Sequence, residues 1–339
     1  LSNLQAESWK DALKVFNEVA AHGINTYPAL TQEVEIKLIN YSENATYLVT
    51  DPKTEMKHIL RVSRPNYHTK VEIESELKWL KSIHDSSPLS VPMPIKGRNN
   101  EYIHSVRLKN DPQEYYCTLF TYLEGKEPDE SKESELINQF ENLGEVTAQL
   151  HEHSILNHNT FKRKNRLTWD YENILGDRPK WARWQDGKGI TPERKELFEV
   201  VSKTIKSRLE TFGKTRDRFG LIHADLRLAN LLVDKDQISV IDFDDCGFGW
   251  YLFDLGTSLS FIEDKLYVPD LVESWMKGYR KVRALTPEEV EEIPTFIMMR
   301  RLQLISWVGS RDNETAEALG EKYSEDTDRL AIEYLQTMR

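Results

Sequence analysis

The residues best suited to chemistry lie in Gly220-Leu221-Ile222-His223-Ala224-Asp225-Leu226-Arg227-Leu228-Ala229-Asn230-Leu231-Leu232-Val233 and, close behind it, Ser239-Val240-Ile241-Asp242-Phe243-Asp244-Asp245. An apolar run ending at Ile222 reads as a strand that delivers His-x-Asp into a loop. Asn230 follows Asp225 by five residues, just before a second apolar run, and Asp242 ends a third. The polar turn Asp234-Lys235-Asp236-Gln237 would fold the last two runs into a hairpin and bring Asn230 and Asp242 together. A loop aspartate can accept the proton of an attacking hydroxyl, while an asparagine and a second aspartate hold magnesium against a triphosphate. Oxygen ligands suit that hard cation, and phosphates and water complete its shell. Any one of these aspartates alone would read as a solvated turn residue. The set, spread over two successive strands, points to phosphoryl transfer.

These residues need a scaffold, and the pattern of the chain predicts one. Ser8 to Ala21 has a helical apolar face built on Trp9, Leu13, Phe16 and Ala20. Strands are expected where Val34, Ile36 and Leu38 alternate with charged residues, then at Tyr47–Val49, His58–Val62, Tyr102–Val106 and Tyr115–Phe120. Polar turns at Tyr41-Ser42-Glu43-Asn44 and Thr50-Asp51-Pro52-Lys53 separate the first three. A helix is expected over Glu72–Ile83, with Ile73, Leu77, Leu80 and Ile83 at core spacing. After Gly125 the pattern becomes mainly helical. Leu136, Phe140, Leu143, Val146 and Leu150 form one stripe, and further helices are expected over 192–211, 271–279, 296–307 and 315–339. This predicts an α+β fold of two lobes: a small antiparallel-sheet N-terminal lobe over 1–121 and a larger, mainly helical lobe over 122–339.

Composition narrows the function classes. The chain has 339 residues, 30% of them charged, with a formal net charge of −11. An acidic protein repels phosphate backbones, which argues against a nucleic-acid partner. The same charge either solvates an acidic surface or draws in a cationic substrate; the sequence leaves both readings open. The longest apolar stretch, 295–309, is interrupted by Arg300 and Arg301 and is too short to span a bilayer, so no membrane partner is expected. The first ten residues, polar and carrying Glu7, do not read as a signal peptide, and the two cysteines are no disulfide framework. A reducing cytoplasm is the expected setting. Oligomeric state leaves no mark on the sequence.

The His223–Asp242 segment resembles the catalytic and metal-binding motifs of the aminoglycoside phosphotransferase and choline kinase family, whose members share the protein-kinase-like fold. The resemblance extends over most of the chain. Ile59-Leu60-Arg61-Val62 resembles the strand that presents a phosphate-binding lysine, and Glu76 resembles the helix glutamate that pairs with it. Ser42-Glu43-Asn44-Ala45-Thr46 is similar to the phosphate-covering hairpin turn, which implicates Ser42 and Asn44. Phe120-Thr121-Tyr122-Leu123-Glu124-Gly125 resembles the inter-lobe hinge, where the backbone of Thr121 and Leu123 would bond the adenine. Leu143 through His151 resembles the first helix of the second lobe, and 248–255 the stretch after the metal aspartate.

The resemblance implies an ATP- and Mg2+-dependent phosphotransferase acting on the hydroxyl of a small molecule, such as an amino alcohol or an aminoglycoside. Asp225 would be the catalytic base, Asn230 and Asp242 the metal ligands, and Arg61, braced by Glu76, the phosphate holder. Arg227 would stabilise the moving phosphoryl group, or else form a structural salt bridge. Asp244 would assist the metal from behind. Asp245 and Asp254 would fix the loop or cap a helix, and His223 would brace the loop by hydrogen bonds. Two features depart from the family pattern. Arg61 stands in the lysine's place, a planar fork instead of a point charge, and the hairpin turn lacks glycine.

Three further features have bland and sharp readings. His151 and His153 sit two apart, so on a helix they point to different sides and make a poor metal pair. Trp169, Trp181, Trp184, Trp250 and Trp307 are core residues or the walls of a box for a quaternary ammonium group. Leu167 through Trp184 lies where family members bind their acceptor. Only eleven residues separate Asp242 from Asp254 and no Ala-Pro-Glu follows, which leaves no room for a peptide-docking platform. A protein serine/threonine kinase or a non-catalytic ATP-binding scaffold remain the alternatives. The intact Asp225, Asn230 and Asp242 set argues against the scaffold.

Overall fold

The computed structural model describes residues 9–338 apart from 29, 32, 43 and 312. Residues 1–8, read above as lacking a signal peptide, Glu43 of the hairpin turn and the ends of two expected helices, Ser8 and Arg339, lie outside the described residues. The chain forms two compact units, one of residues up to 86 with 91–123, the other of 87–90 with 124 onward.

In the first unit, helix α1 (Trp9–Gly23) precedes strands β1 (Glu35–Tyr41), β2 (Ala45–Thr50) and β3 (Lys57–Ser63), helix α2 (Lys70–Ser86), and strands β4 (Pro94–Ile95), β5 (His104–Val106) and β6 (Tyr115–Thr121). The sheet is antiparallel in the order β1-β2-β3-β6-β4, with β5 also paired to β6. Alternation along the strands sends Ala45, Tyr47, Val49, Leu60, Val62, Cys117 and Leu119 to one face, where Phe16, Val19 and Ala20 of α1 close the core. Arg61, opposite Thr118 in the register, falls on the other face. Helix α2 buries Ile73, Leu77, Leu80 and Ile83, and on the same side the charged Glu76. A buried carboxylate demands a partner, and its identity is given below.

The second unit contains α3 (Glu133–Leu156), β7 (Leu167–Trp169), α4 (Tyr171–Ile174), α5 (Pro192–Phe212), β8 (Phe219–Ile222), β9 (Leu231–Asp234), β10 (Gln237–Val240), β11 (Gly247–Trp250), α6 (Phe253–Ser258), α7 (Val268–Tyr279), α8 (Pro287–Ser310), α9 (Glu314–Leu319) and α10 (Lys322–Thr337). Helices α3 and α7 touch backbone to backbone. A Cβ on Gly144 would stand 2.0 Å from the Trp275 carbonyl oxygen, and one on Gly278 would stand 1.7 Å from that of Glu141, so only glycine fits at either point.

Strand β11 runs parallel to β7 and antiparallel to β8. The sequence reading missed β7 and β11, which are too short for a periodic signal and, in β11, half glycine. It also began the helix over 296–307 too late, since that helix runs from Pro287 to Ser310. A capping box between Thr286 and Glu289 starts α8 upstream, with Pro287 at its first turn, and Pro294 is accommodated inside. A proline inside a helix removes one hydrogen bond and crowds the carbonyl four residues before it, and α8 continues through Pro294 with most of its following residues buried. The helix expected over 315–339 is two, parted at Gly320, whose φ of 51° ends α9.

Candidate active site

Strand β8 stops at Ile222 and hands the chain to a loop that buried groups hold on every side. Ala224 adopts a left-handed φ of 67°, costly for a residue with a Cβ. The fully buried carboxylate of Asp254 offsets that cost: Oδ2 accepts the His223 N–H at 3.0 Å and Oδ1 the Ala224 N–H at 2.7 Å. Leu226 N–H donates to Thr257 Oγ1 at 2.9 Å. His223 Nδ1 accepts the Asp225 N–H at 3.2 Å, which leaves Nε2 to donate to the Ile241 carbonyl at 3.0 Å. His223 is thus a neutral imidazole that ties the loop to the strand end before Asp242. Asp254 lies inside α6 and does not cap it; it fixes the loop.

Asp254 is itself positioned from α3. His151 Nε2 donates to Asp254 Oδ2 at 3.1 Å, and His151 Nδ1 meets the Tyr279 hydroxyl at 2.8 Å. Burial lowers the His151 pKa, against the pull of Asp254 in the other direction. With both ring nitrogens engaged, His151 is a brace, not a metal ligand.

The Asp225 carboxylate is gripped from three directions. Arg300 Nη2 lies 2.5 Å from Oδ1, Asn230 Nδ2 donates to Oδ2 at 2.8 Å, and Arg227 Nε stands 3.4 Å from Oδ2. Burial by itself would raise the Asp225 pKa, but the charges of Arg300 and Arg227 outweigh it and hold the group below its ordinary value. Arg227 donates no hydrogen bond through its terminal nitrogens among the described residues, and a quarter of its side chain is exposed.

Strands β9 and β10 pair Leu231 with Val240 and Asp234 with Gln237, with Lys235 and Asp236 in the turn. The ladder continues one step, as Ile241 N–H donates to the Asn230 carbonyl at 3.0 Å. Asn230 and Asp242 therefore emerge at the same end of the hairpin, and Asp242 takes a left-handed φ of 60°. Because Asn230 Nδ2 is committed to the carbonyl and carboxylate of Asp225, its Oδ1 faces the other way and accepts no hydrogen bond among the described residues. An amide oxygen beside an aspartate is a fitting donor set for a hard divalent cation.

In the first unit, Arg61 and Glu76 form a buried bidentate pair, with Nη1 to Oε1 at 2.8 Å and Nη2 to Oε2 at 2.7 Å. The guanidinium also lies 5.2 Å from the Phe120 ring centroid. Asn44 Oδ1 accepts the Arg64 N–H at 3.0 Å, and Ser42 N–H donates to the Asn44 carbonyl at 3.1 Å, so both tighten the β2 entry. Thr121 N–H donates to the Met93 carbonyl at 2.9 Å, and Thr121 Oγ1 accepts the Met93 N–H, also at 2.9 Å. Two residues on, the Leu123 backbone makes no hydrogen bond among the described residues.

Three groups escaped the sequence reading: Arg300, Gln303 and the His151–Asp254 pair. Arg300, 1% exposed, also donates through Nε to Ser260 Oγ and through Nη1 to Gln303 Oε1, both at 2.9 Å. The available signal was a pair of arginines inside an apolar helix, since a buried charge must find a counter-charge. The neighbouring Arg301 finds Glu263 at 2.9 Å.

The 167–184 segment reaches this site through its tryptophans. Trp169 Nε1 donates to the Asp245 carbonyl at 2.6 Å, and Arg166 donates to the carbonyls of Asp244 and Cys246. The Trp181 ring carries the guanidinium groups of Arg300 and Arg311, 5.3 and 5.9 Å from its centroid. Trp169, Trp184 and Trp250 are 2% exposed or less and belong to the core. Trp307 packs against Phe261, 5.8 Å between centroids.

Residues 35–285 match the phosphotransferase enzyme family. Among solved structures, that of a microcompartment-associated aminopropanol kinase superposes with a TM-score of 0.84 at 38% identity, covering 95% of this chain and 98% of that one. Amicoumacin kinase of Bacillus subtilis (strain 168) is 25% identical over 307 residues, 86% of this chain and 85% of its own. The fold is shared at 18% identity by the amicoumacin kinase hAmiN, in complex with AMP-PNP, Ca2+ and Ami, with a TM-score of 0.75 and coverage of 95% of this chain and 96% of that one. No helix among the described residues is long and apolar enough to cross a membrane. The chain belongs to the phosphotransferase enzyme family, as a kinase that moves phosphate from ATP to a hydroxyl of a small molecule.

Proposed function

We propose that this kinase uses magnesium-bound ATP to phosphorylate the hydroxyl of a small amino alcohol in the cytoplasm. The observation that carries the chemistry is the Asp225 carboxylate, held on both oxygens while Asn230 keeps its amide oxygen free for a metal. The likeness to an aminopropanol kinase along nearly the whole chain supports the acceptor class. The chain's net charge of −11 suits a cationic acceptor.

In this reading Asp225 orients the acceptor hydroxyl and takes its proton as the oxygen bonds to the γ-phosphorus. The bond from the γ-phosphorus to the bridging oxygen breaks, and ADP leaves with its electron pair. Arg227 turns its uncommitted terminal nitrogens to the phosphoryl group in flight. Asn230 Oδ1 and Asp242 hold the magnesium, with Asp244 behind them; the ion supplies neutralisation of the phosphate charge. Arg61, kept in place by Glu76, grips the phosphates from the N-terminal lobe, under the turn at Ser42 and Asn44. The Thr121 carbonyl and the Leu123 N–H hold the adenine. The N-terminal lobe, 1–121, thus binds nucleotide, and 122–339 carries catalysis and the acceptor. Buried thiols at Cys117 and Cys246 suit a reducing compartment.

The test is ATP consumption with magnesium across amino alcohols, aminoglycosides and other hydroxyl metabolites, with Asp225→Asn as blank. Turnover of a small amino alcohol that vanishes in the variant is expected. Turnover confined to large antibiotics would overturn the acceptor class, and full activity in Asp225→Asn would overturn the base.

A further inference from the structure

An amino alcohol presents two ends to Asp225, and the wrong one has the stronger attraction. An ammonium group is drawn to a carboxylate more than a hydroxyl is, so a site with Asp225 alone would seat the acceptor backwards. The surroundings of Asp225 oppose this. Arg300 and Arg227 place two positive charges beside one carboxylate, which repels a cation at that spot.

Next to them is Gln303, 2% exposed. Arginine has only donors, so the amide must turn its oxygen to Arg300 Nη1, as found at 2.9 Å. That leaves Nε2 pointing away from the guanidinium. Nε2 donates no hydrogen bond among the described residues, yet it is not among the side-chain atoms sealed from solvent. Nη1 and Nη2 belong to one guanidinium, so the Gln303 amide and the Asp225 carboxylate sit side by side on Arg300. Buried side-chain amides usually find partners. A donor held in place by its own oxygen, and left without one, is built for a ligand.

We propose that Gln303 Nε2 bonds the oxygen of the acceptor's reacting hydroxyl and so distinguishes the hydroxyl end from the ammonium end. A hydroxyl has lone pairs to accept from Nε2 while its proton goes to Asp225. An ammonium group has none. Arg300, with every nitrogen engaged, touches no substrate and acts as the positioning residue for both Gln303 and Asp225. The inference rests on the amino-alcohol reading of the site.

The test compares calorimetric Kd values for aminopropanol and for its diamine analogue, with ADP and magnesium present, in the wild type, Gln303→Glu and Gln303→Met. The glutamate keeps an oxygen for Arg300 but exchanges the donor for an acceptor. It should weaken aminopropanol binding about 10-fold, tighten diamine binding, and leave ADP affinity unchanged. Methionine should weaken aminopropanol without helping the diamine. An unchanged aminopropanol-to-diamine ratio in both variants overturns the inference, even where the wild type turns over. Selective aminopropanol binding with the expected ratio change but no turnover supports it, and instead counts against the phosphotransfer reading. Absence of aminopropanol binding by the wild type overturns the inference together with the acceptor class.

Discussion

Arg300 and Asp225, 75 residues apart in sequence, meet at 2.5 Å in a pair whose arginine is almost wholly buried. A buried pair broken by removing one partner leaves a charge without compensation, at a cost of about 3–5 kcal/mol. Arg300→Met should therefore lower stability by about 3 kcal/mol and reduce kcat by 100-fold or more, because Asp225 and Gln303 lose their common support. Urea denaturation and steady-state kinetics read both effects. A variant as stable and active as the wild type would remove Arg300 from the positioning role.

The same pair sets an acid limit on stability. Burial alone would raise the Asp225 pKa, but Arg300 and Arg227 bring it below the ordinary carboxylate value. A carboxyl whose folded pKa is depressed contributes stability above its unfolded pKa, and loses it as pH falls through the folded value. Between pH 5 and strongly acid conditions, the wild type should lose more stability than Asp225→Asn. Urea midpoints across that range provide the check; parallel curves would contradict it.

Asn230 donates to Asp225 at 2.8 Å, and in the proposed function its amide oxygen would hold the metal. In Asn230→Ala the magnesium concentration for half-maximal activity should rise at least about 10-fold, with kcat also reduced, in line with the loss of one ligand. Magnesium titration of the initial rate decides the matter. An unaltered metal requirement would remove Asn230 from the ligand set.

Asp254 accepts from His223, Ala224 and His151. An asparagine has one oxygen and would turn an NH2 toward a backbone N–H. Asp254→Asn should cost about 2–4 kcal/mol, since a buried donor is left unsatisfied, and activity should fall because the loop at Ala224 is no longer restrained. Thermal denaturation measures the first, and a variant within about 0.5 kcal/mol of the wild type would show that the loop is held by other means.

Arg61→Lys tests whether the fork is needed. The bidentate contact with Glu76 becomes a single bond, so the KM for ATP should rise about 5- to 10-fold with a smaller change in kcat. Unchanged kinetics would mean that a point charge suffices at this position.

How much of this could be read beforehand depends on whether the signal is local. The hairpin that brings Asn230 and Asp242 to one end was legible because both strands and their turn lie within about a dozen residues, where alternation and turn chemistry decide pairing. The strand–loop junction at Ile222–His223 was legible for the same reason. Helix α8 was placed too short because its capping box outweighs the proline inside it. The helix expected over 315–339 was broken because one glycine sets a left-handed turn.

The sequence by itself determined the candidate set: Asp225, Asn230 and Asp242 stand out by type and spacing, and Arg61 with Glu76 by resemblance to the phosphotransferase family. Only the tertiary structure decided what surrounds them. Arg300, Gln303, Asp254 and His151 come from helices distant in the chain. Nothing in their local sequence distinguishes a charge that stabilises a core from one that holds the Asp225 carboxylate. Periodicity shows that such a residue is buried; which partner neutralises it is settled by the packing of whole elements against one another.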